Sequence, residues 1–430
     1  MNSKKLWFTL ILTLAFFINV FSLEVKVHTP PFSITYPQAV QANLPNQLFN
    51  FTVNNTLSLN ITQLNITLPS GFSFISNSNG TNAFSDFFVY GNTLVWQNFS
   101  GLILANETKN FWFNSSVPDV GYYNFTLKAL YENGSIEELN VTVIVRKIFV
   151  TINLNSTIVN PGDAINVYGK AILLPDNLTV PNINISIYLD DNFLSNVTTD
   201  SNGNYSYTFS VPSDLGIYNI TINTTDSNGI SGLNSSLIYV LLINKPGYYT
   251  LSKDILNLNL TTGINITSEN VTLDCNGKII EGNFALNDIS SKNLYGIYVN
   301  SENVTIKNCI IRKWQTGIFL DSQANFSIIE NNIINYIFGS FNGGNAIGIL
   351  VKSSYNLLRN NTISNLTGGA GGSGGYQGSG GSGGISAGIY LQNSQNNTIY
   401  SNTISNLTGG AGGSGGDFGS GGSGGISAGI

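Results

Sequence analysis

Acidic side chains in the C-terminal half of the chain are the first candidates for chemistry. Hydrolysis of a glycosidic bond needs two carboxylates held a few ångströms apart on one face. Six of these acids are scattered among asparagines, and no Asp-Asp, Asn-Thr-Asp or His-Gly signature accompanies them: Asp274, Glu281, Asp288, Glu302, Asp321 and Glu330. Asp274 with Lys307, and Glu302 with Asp321, could lie on neighbouring turns of a repeat structure. We predict no catalytic residue from this pattern, and an enzyme is the less favoured interpretation.

Metal-ligating side chains are few. Copper prefers Met, His or Cys ligands, but the chain has one Met, the initiator Met1, and one His, His28. The segment GGSGGDFGS at 412–420 is similar to a calcium-binding Gly-Gly-x-Gly-x-Asp repeat, yet Gly419 occupies the position that needs a large apolar residue. DSNGN at 200–204 matches half of a calcium loop, lacks the closing glutamate and fits a hairpin turn. We therefore predict neither a metal site nor a cofactor.

The two cysteines, Cys275 and Cys309, follow the matching segments NVTL and NVTI, although the two alignments differ by one residue. A disulfide between them is compatible with an extracellular protein, and two separate core thiols are an equal alternative. Trp314 could serve as a platform for a sugar ring, while a capping aromatic is the simpler interpretation.

These residues lie in a repeat that begins near residue 244. The pair Gly-Ile recurs at Gly296, Gly317, Gly348, Gly388 and Gly429, and the shortest spacing, 21 residues, fits one turn of a parallel β-helix. Longer spacings add a loop at one corner. Each turn also carries Asn-x-Ile, and stacked strands lie about 4.8 Å apart, so the isoleucines would fill a core. The asparagines would form an amide ladder along one corner: Asn308, Asn332, Asn361 and Asn402.

The repeat resembles the right-handed parallel β-helix proteins of archaeal and bacterial surfaces. Its opening segment at 246–282, PGYYTLSKDI…GINITSENVTLDCNGKIIEG, is similar to that of the β-helix domains typified by the periplasmic copper-binding accessory proteins of nitrous oxide reductase. The resemblance implies this fold over about 185 residues. Because Met and His are absent from that region, the resemblance does not imply copper binding here.

Two copies of one segment end the sequence. Residues 361–389 and 402–430 each read NTISNLT…ISAGI around a Gly/Ser-rich insertion of about 20 residues. Such a composition cannot build a core of its own, so we expect mobile loops that project from one corner of successive turns. The second copy stops with a turn half made, and we expect the protein to continue beyond Ile430.

Before the repeat, short alternating runs bounded by turn residues predict antiparallel strands. Examples are LFNFTV at 48–53 and YYNFTLKAL at 122–130. We predict a β-sandwich module at 23–146 and an immunoglobulin-like β-sandwich at 147–243. Residues 198–222, TTDSNGNYSYTFSVPSDLGIYNITI, resemble the immunoglobulin-like modules repeated in prokaryotic surface proteins. That resemblance implies a spacer fold and no particular activity.

The N-terminus has the pattern of a secretory signal. Lys4 and Lys5 precede an apolar run of about 15 residues, shorter than the roughly 20 that a membrane-spanning helix needs. We predict a signal peptide at residues 1–22, and an uncleaved membrane anchor is the alternative. Charged residues make up 9% of the chain and the net charge is -6, which excludes an electrostatic nucleic-acid binder.

Asparagine takes the place of charge as the main source of solubility. Close to half of the 62 asparagines lie in Asn-x-Ser/Thr acceptor sites, about twice the chance frequency. In a strand, Asn and Thr of such a triplet share one face while the apolar residue between them faces the core. The triplets are either glycosylation sites on an exposed face or a by-product of strand alternation, and we favour glycosylation. The candidate sites are Asn65, Asn140, Asn184, Asn219, Asn265 and Asn303.

Together these patterns predict an all-β chain, with two β-sandwich modules followed by a right-handed parallel β-helix at 244–430 that carries Gly/Ser-rich insertions. We expect a secreted, N-glycosylated cell-surface protein with a structural or adhesive role. Its expected partners are polysaccharide or neighbouring envelope proteins, and contact with a membrane would come only from the signal segment or an anchor beyond residue 430. The alternative is a carbohydrate-active β-helix, either a lyase or hydrolase or a non-catalytic glycan binder.

Overall fold

The computed structural model describes residues 24–29, 32–284 and 293–430. The predicted signal peptide, the side chain of His28 and Asp288 lie outside what it describes. All regular structure in the described residues is β-strand, so the predicted all-β class is confirmed. Accordingly, this part of the chain contains no helix with the length and apolarity needed to cross a membrane.

The chain divides into two compact units. The first comprises the described part of Met1–Asn153 with Val167–Tyr207 and Ile220–Ser236. The second comprises Leu154–Asn166, Thr208–Asn219 and Leu237–Ile430. The predicted division into two separate sandwich modules and a β-helix stays a prediction.

Most of the longer strands of the first unit up to residue 150 alternate apolar and polar side chains, as half-buried strands do. They are β1 (Glu24–Thr29), β2 (Phe32–Pro37), β3 (Ala39–Gln41), β4 (Gln47–Asn55), β5 (Ile61–Thr67), β6 (Ser73–Phe74), β7 (Gly80–Thr81), β8 (Asp86–Tyr90), β9 (Thr93–Gln97), β10 (Thr108–Ser116), β11 (Gly121–Tyr131) and β12 (Ile136–Val150). One sheet contains β1, β2, β4, β6, β7 and β10, and the other contains β3, β5, β8, β9, β11 and β12. Phe49 of one sheet packs on Phe125 of the other, with ring centroids 5.4 Å apart.

Nine further strands precede the repeat region. They are β13 (Asn153–Leu154), β14 (Ile158–Val159), β15 (Ala164–Leu174), β16 (Leu178–Thr179), β17 (Asn184–Leu189), β18 (Asn192–Thr198), β19 (Asn204–Ser210), β20 (Gly216–Thr225) and β21 (Ser231–Val240). Within the first unit, β17 pairs antiparallel with both β18 and β20. Within the second unit, β14 pairs parallel with β21.

The repeat region forms three parallel sheets, and one strand from each makes up one coil of a β-helix. Sheet 1 contains β22 (Leu242–Ile243), β25 (Thr262–Ile266), β28 (Tyr295–Val299), β31 (Thr316–Leu320), β34 (Ala346–Val351), β37 (Ser386–Leu391) and β40 (Ser427–Ala428). Sheet 2 contains β23 (Gly247–Thr250), β26 (Val271–Asp274), β29 (Val304–Lys307), β32 (Ile328–Glu330), β35 (Leu357–Arg359) and β38 (Thr398–Tyr400). Sheet 3 contains β24 (Ile255–Leu258), β27 (Ile279–Gly282), β30 (Ile310–Arg312), β33 (Ile333–Phe338), β36 (Thr362–Thr367) and β39 (Thr403–Thr408).

The Gly-Ile pairs place a glycine where sheet 1 meets the side chains of sheet 3. A Cβ added at Gly317 would lie 2.6 Å from Cγ2 of Ile334, and one at Gly348 would lie 2.6 Å from Cγ2 of Ile363. The same Cβ positions also approach the backbone carbonyl of the next glycine in the stack, at 2.5–2.6 Å. Glycine therefore recurs because the interior has no room for a methyl group at this position.

An amide ladder runs along the corner between sheets 2 and 3. Nδ2 of Asn332 donates to Oδ1 of Asn361 at 3.0 Å, and Nδ2 of Asn361 donates to Oδ1 of Asn402 at 2.9 Å. Each of the three amides also donates to a backbone carbonyl of the preceding coil, at 2.8–3.1 Å. The ladder thus satisfies polar groups that the corner buries.

Asn308 does not belong to this ladder. Strand β30 pairs Ile311 with Ile334, so the predicted Asn-x-Ile alignment is one residue out of register at this coil. Cys309 occupies the ladder position instead, and its backbone amide donates to Oδ1 of Asn332 at 3.0 Å. Asn308 lies in the left-handed region, with φ of 55°, where asparagine is tolerated.

The Gly/Ser-rich insertions at 368–385 and 409–426 are hydrogen-bonded through their backbones, in contrast to the mobile loops expected from their composition. Within one insertion, the Gly381 amide donates to Gly372 O at 2.8 Å. Between the insertions, the Gly371 amide donates to Ala411 O and the Gly413 amide donates to Gly381 O, both at 2.8 Å. We call this paired arrangement the glycine lattice.

Candidate functional site

Several acids of the β-helix are held in ion pairs and hydrogen bonds. Oδ2 of Asp274 lies 3.4 Å from Nζ of Lys307, as the stacked strands bring them side by side. Oδ1 accepts from Nδ2 of Asn308 at 2.9 Å, and Oδ2 accepts from the Tyr248 hydroxyl at 2.9 Å. Burial would raise the pKa of Asp274, but hydrogen bonds from Asn308, the Asn276 amide and Tyr248 hold it below its ordinary value.

Glu281 and Glu330 are paired in the same way. The buried Glu281 carboxylate contacts Nε of Arg312 at 2.5 Å and Nζ of Lys313 at 3.0 Å. Glu330 contacts Nη2 of Arg359 at 2.6 Å. Carboxylates held this way stabilise stacked coils and are poorly placed to act as an acid–base pair.

The other predicted pair of acids, Glu302 and Asp321, makes no mutual contact among the described residues. Asp321 accepts a hydrogen bond from the Tyr298 hydroxyl at 2.6 Å, whereas Glu302 is exposed at the turn after β28. Across the described chain, no group of three or more His, Cys, Asp or Glu side chains is placed to hold a metal ion.

The cysteines lie inside the β-helix and are bonded to each other. Cys275 and Cys309 form a disulfide with a Cα–Cα distance of 4.7 Å, and both are fully buried. Trp314 is also buried, and its Nε1 donates to Ile280 O at 3.1 Å. Its indole occupies space left by Gly282 and Gly296, so Trp314 is a core residue and not a sugar platform.

The candidate glycosylation sites differ in exposure. Asn140, Asn184 and Asn303 are exposed, whereas the others, Asn65, Asn219 and Asn265, are partly buried. At Asn140 and Asn184 the side-chain oxygen accepts from a cross-strand threonine hydroxyl, at 2.7 and 3.1 Å. Nδ2 of Asn303 donates to Oδ1 of Asn270 at 2.5 Å. Modification at Asn303 would have to break that hydrogen bond.

A groove of about 560 Å³ lies on the outer face of sheet 1. Its floor is a set of outward-facing rings and one aliphatic side chain: Tyr295, Phe319, Leu350 and Tyr390. The last three occupy the same register position on β31, β34 and β37, one coil apart. Stacking therefore turns one outward position of the repeat into a continuous apolar strip.

Rings pack tightly at one end of the groove. Tyr295 and Phe319 have centroids 5.1 Å apart, and Tyr298 lies 5.3 Å from Phe319 at an interplanar angle of 65°. Nζ of Lys352 lies 5.1 Å from the Phe319 centroid, a distance at which a cation is attracted to the ring face. These contacts fix the orientation of the floor before any ligand arrives.

Side-chain amides form the rim of the groove: Asn293, Gln315, Asn342, Asn345 and Gln392. Two are already oriented by the backbone, because Asn345 Oδ1 accepts from the Ile385 amide at 2.9 Å and Gln315 Oε1 accepts from the Leu294 amide at 3.3 Å. Among the described residues of the lining, Lys352 carries the charge and no Asp or Glu occurs. The groove thus offers an apolar floor with donors and acceptors around it.

The phenol groups of Tyr295, in the groove floor, and Tyr298, next to it, remain neutral far above physiological pH. Burial, the hydrogen bond to Asp321 and the charge of Asp321 raise the pKa of Tyr298 to about 12. Burial and then the charge of Asp321 raise the pKa of Tyr295. Neither hydroxyl is therefore available as a base or nucleophile at neutral pH.

The groove was not predicted from the sequence, although part of its signal is present there. The residue after each of the first four Gly-Ile pairs points outward, and it is Tyr298, Phe319, Leu350 or Tyr390. Large apolar residues at a solvent-facing position of several consecutive coils indicate a binding face. The amide rim could not be found this way because it comes from loops of different length.

Comparison with known proteins supports the β-helix and little else. The profile of a family described as the right handed beta helix region matches residues 295–417. No curated protein matches the chain.

Solved structures give weaker likenesses. The Clostridium thermocellum CbhA fibronectin(III)-like modules match at 14% identity, over 49% of this chain and 93% of theirs, with a TM-score of 0.21. The Yersinia pseudotuberculosis adhesin InvE matches at 12% identity, over 51% of this chain and 62% of its own, with a TM-score of 0.20. The C-terminal domain of the Streptococcus agalactiae AgI/II polypeptide BspA matches at 10% identity, over 50% and 99%, with a TM-score of 0.28. TM-scores this low carry no argument about function.

Proposed function

We propose that this chain is a secreted cell-surface protein that adheres to polysaccharide, without cleaving it, through the groove on sheet 1. The observation that carries the proposal is the floor of Phe319, Leu350 and Tyr390 surrounded by amides, with no carboxylate among the described residues of the lining. A pyranose ring has apolar C–H faces and a hydroxyl perimeter, so it matches an apolar floor with a polar rim.

Three further features support a location outside the cytoplasm. The disulfide between Cys275 and Cys309 is typical of proteins in an oxidising compartment. The exposed acceptor asparagines, such as Asn140 and Asn184, fit a glycosylated surface. The apolar N-terminal run agrees with export.

An enzyme of the lyase or hydrolase type is the competing proposal, and the paired acids weigh against it. Asp274, Glu281 and Glu330 each contact a cation of a neighbouring coil. A catalytic carboxylate pair would need both groups to face the substrate, and neither is found among the groove residues that the structure describes.

Binding of the full chain to a panel of soluble polysaccharides, measured by affinity electrophoresis and calorimetry, tests the proposal. Replacing Tyr390→Ala should weaken binding about tenfold, because an exposed ring is a typical anchor for a ligand. Tyr400→Ala is the matched control, since Tyr400 lies on β38 of the same coil, is 45% exposed and is outside the groove.

Three outcomes would contradict the proposal. The first is a panel in which no polysaccharide binds. The second is an equal loss of affinity in the Tyr390→Ala and Tyr400→Ala variants. The third is the appearance of new reducing or unsaturated ends during incubation, which would favour the enzyme.

A further inference from the structure

The two copies of the Gly/Ser-rich segment differ only at the tips of their insertions. Residues 361–389 and 402–430 are identical except that Tyr376 and Gln377 correspond to Asp417 and Phe418. Each insertion has an outgoing leg, residues 368–375 in the first copy, and a returning leg, residues 378–385. In both copies the two differing positions lie in the turn between these legs. Sequence change in this repeat is therefore confined to the part most distant from the β-helix wall.

The glycine lattice explains why the legs do not vary. A Cβ added at Gly374 would lie 2.0 Å from Gly378 O, and one at Gly416 would lie 1.8 Å from Gly375 O. Side chains occur at every third residue of a leg, as at Ser379 and Ser382, which matches the three-residue turn of polyproline II. Most glycines of the legs thus have no room for a side chain, with Gly375, Gly421 and Gly424 as exceptions, and the tips are free of this restriction.

The lattice also holds the tips away from the β-helix. Each outgoing leg has eight residues, as in 368–375, which span about 25 Å at the roughly 3.1 Å rise of polyproline II. Backbone hydrogen bonds between the two insertions continue to the tip, where the Gly416 amide donates to Gly378 O at 3.0 Å. A hydrogen-bonded support reduces the entropy lost when the tip residues bind a partner.

The tips combine exposed rings with polar groups. Tyr376 is 69% exposed and Phe418 is 76% exposed, and their rings meet edge to face with centroids 5.8 Å apart and an angle of 82°. Gln377 and Asp417 are exposed beside them. The edge-to-face contact leaves ring surface uncovered, while the amide, the carboxylate and the phenol hydroxyl can bond to hydroxyl groups.

We propose that the paired tips, Tyr376 with Gln377 and Asp417 with Phe418, form a second carbohydrate-binding site that takes a neutral sugar ring. The rings would cover the C–H face of the sugar, and the polar groups would bond to its hydroxyls. Neither insertion contains Lys or Arg, so an anionic sugar is disfavoured by Asp417. This inference deepens the proposed function and rests on it, because it adds a site to the same adhesive surface.

Binding of the full chain to immobilised β-glucan, mannan and galactan tests the inference. The double variant Tyr376→Ala/Phe418→Ala should reduce affinity for one of them about tenfold. The double variant Ser382→Ala/Ser423→Ala is the matched control, because these exposed hydroxyls lie 3.1 Å apart on the same insertions and away from the tips. Circular dichroism should be unchanged in both, since all four side chains are outside the core.

The groove variant Tyr390→Ala separates this inference from the proposed function. If the tip variant loses affinity and the serine control does not, the second site is supported. If the tip variant binds like the wild type while Tyr390→Ala loses affinity, the second site is wrong and the groove stands. If no polysaccharide binds, both proposals fail. The inference would also be overturned if the tip variant bound all three polysaccharides like the wild type but no longer bound a partner that proteinase treatment destroys. That result would favour a protein ligand.

Discussion

Asn332 and Asn361 share a side-chain hydrogen bond, from Nδ2 to Oδ1 at 3.0 Å, at a corner where both residues are only 1% exposed. Oδ1 of Asn361 also accepts from the Asn332 backbone amide at 3.1 Å, and its Nδ2 donates to Ile329 O at 2.8 Å. One side chain therefore satisfies polar groups of two adjacent coils, and its removal would leave several of them buried without partners.

Replacing Asn361→Ala should lower the free energy of unfolding by about 2–4 kcal/mol, because each buried group left unpaired costs about 1–3 kcal/mol. Urea denaturation followed by fluorescence measures the change. Thr362→Ala is the control, since Thr362 is exposed on the outer face of β36 and should change stability by less than about 0.5 kcal/mol. Equal changes in the free energy of unfolding in the two variants would show that the amide ladder does not stabilise the fold.

The glycine lattice offers a matched pair of substitutions. A Cβ at Gly416 would lie 1.8 Å from Gly375 O, whereas one at Gly375 would meet nothing within 4 Å. Gly416→Ala should therefore break lattice hydrogen bonds, and deuterium uptake in residues 409–426 should rise. Gly375→Ala, the equivalent position of the first copy, should leave uptake unchanged. Similar uptake in both variants would mean that the insertions are not hydrogen-bonded to each other.

The disulfide leads to a prediction about stability under reducing conditions. Cys275 and Cys309 are separated by 34 residues in sequence, and closing such a loop stabilises a folded chain by about 3–4 kcal/mol on the chain-entropy model. Dithiothreitol should lower the denaturation midpoint of the wild type, and it should not alter that of Cys275→Ala/Cys309→Ala. Free thiols detected in the unreduced, unfolded protein would contradict the assignment.

The spacing of the repeat could be read from the sequence because stacking leaves few choices. Gly317 and Gly348 face isoleucines of sheet 3 at 2.6 Å, so glycine must recur once per coil wherever the inserted loops begin and end. The Asn-x-Ile pattern predicted four ladder members, of which Asn332, Asn361 and Asn402 are joined by side-chain hydrogen bonds. The pattern failed at Asn308 because the coil has two consecutive isoleucines, Ile310 and Ile311, and either could be the core residue of the pattern. Only the pairing of β30 with β33 shows that Ile311 is the one aligned with Ile334.

The glycine lattice and the groove were harder to predict, for different physical reasons. Gly/Ser-rich composition ordinarily indicates a flexible chain, and the order here comes from a second copy stacked in register on the first. The groove needs the row of Phe319, Leu350 and Tyr390 together with loops that differ in length between coils. Repeat periodicity predicts the row, whereas loop positions depend on tertiary packing.

The ion pairs of Glu281 predict a loss of stability in acid. Burial would raise the pKa of this carboxyl, but hydrogen bonds from Lys313 and Arg312, and then their charges, hold it below its ordinary value of 4.5. A lowered pKa means that the folded protein binds fewer protons than the unfolded chain. The stabilisation is therefore complete above pH 4.5 and is lost as the pH falls through the lower pKa of the folded state.

Glu281→Gln should accordingly reduce stability at pH 7, by about 1–3 kcal/mol for the charged hydrogen bonds, and the difference from wild type should shrink as the pH approaches 3. Urea titrations of both proteins at pH 3, 4, 5 and 7 measure this convergence. Glu302→Gln is the control, because Glu302 is exposed and its replacement should follow the wild type at every pH. A wild-type advantage that persists undiminished at pH 3 would show that the Glu281 carboxylate is not what stabilises this corner of the β-helix.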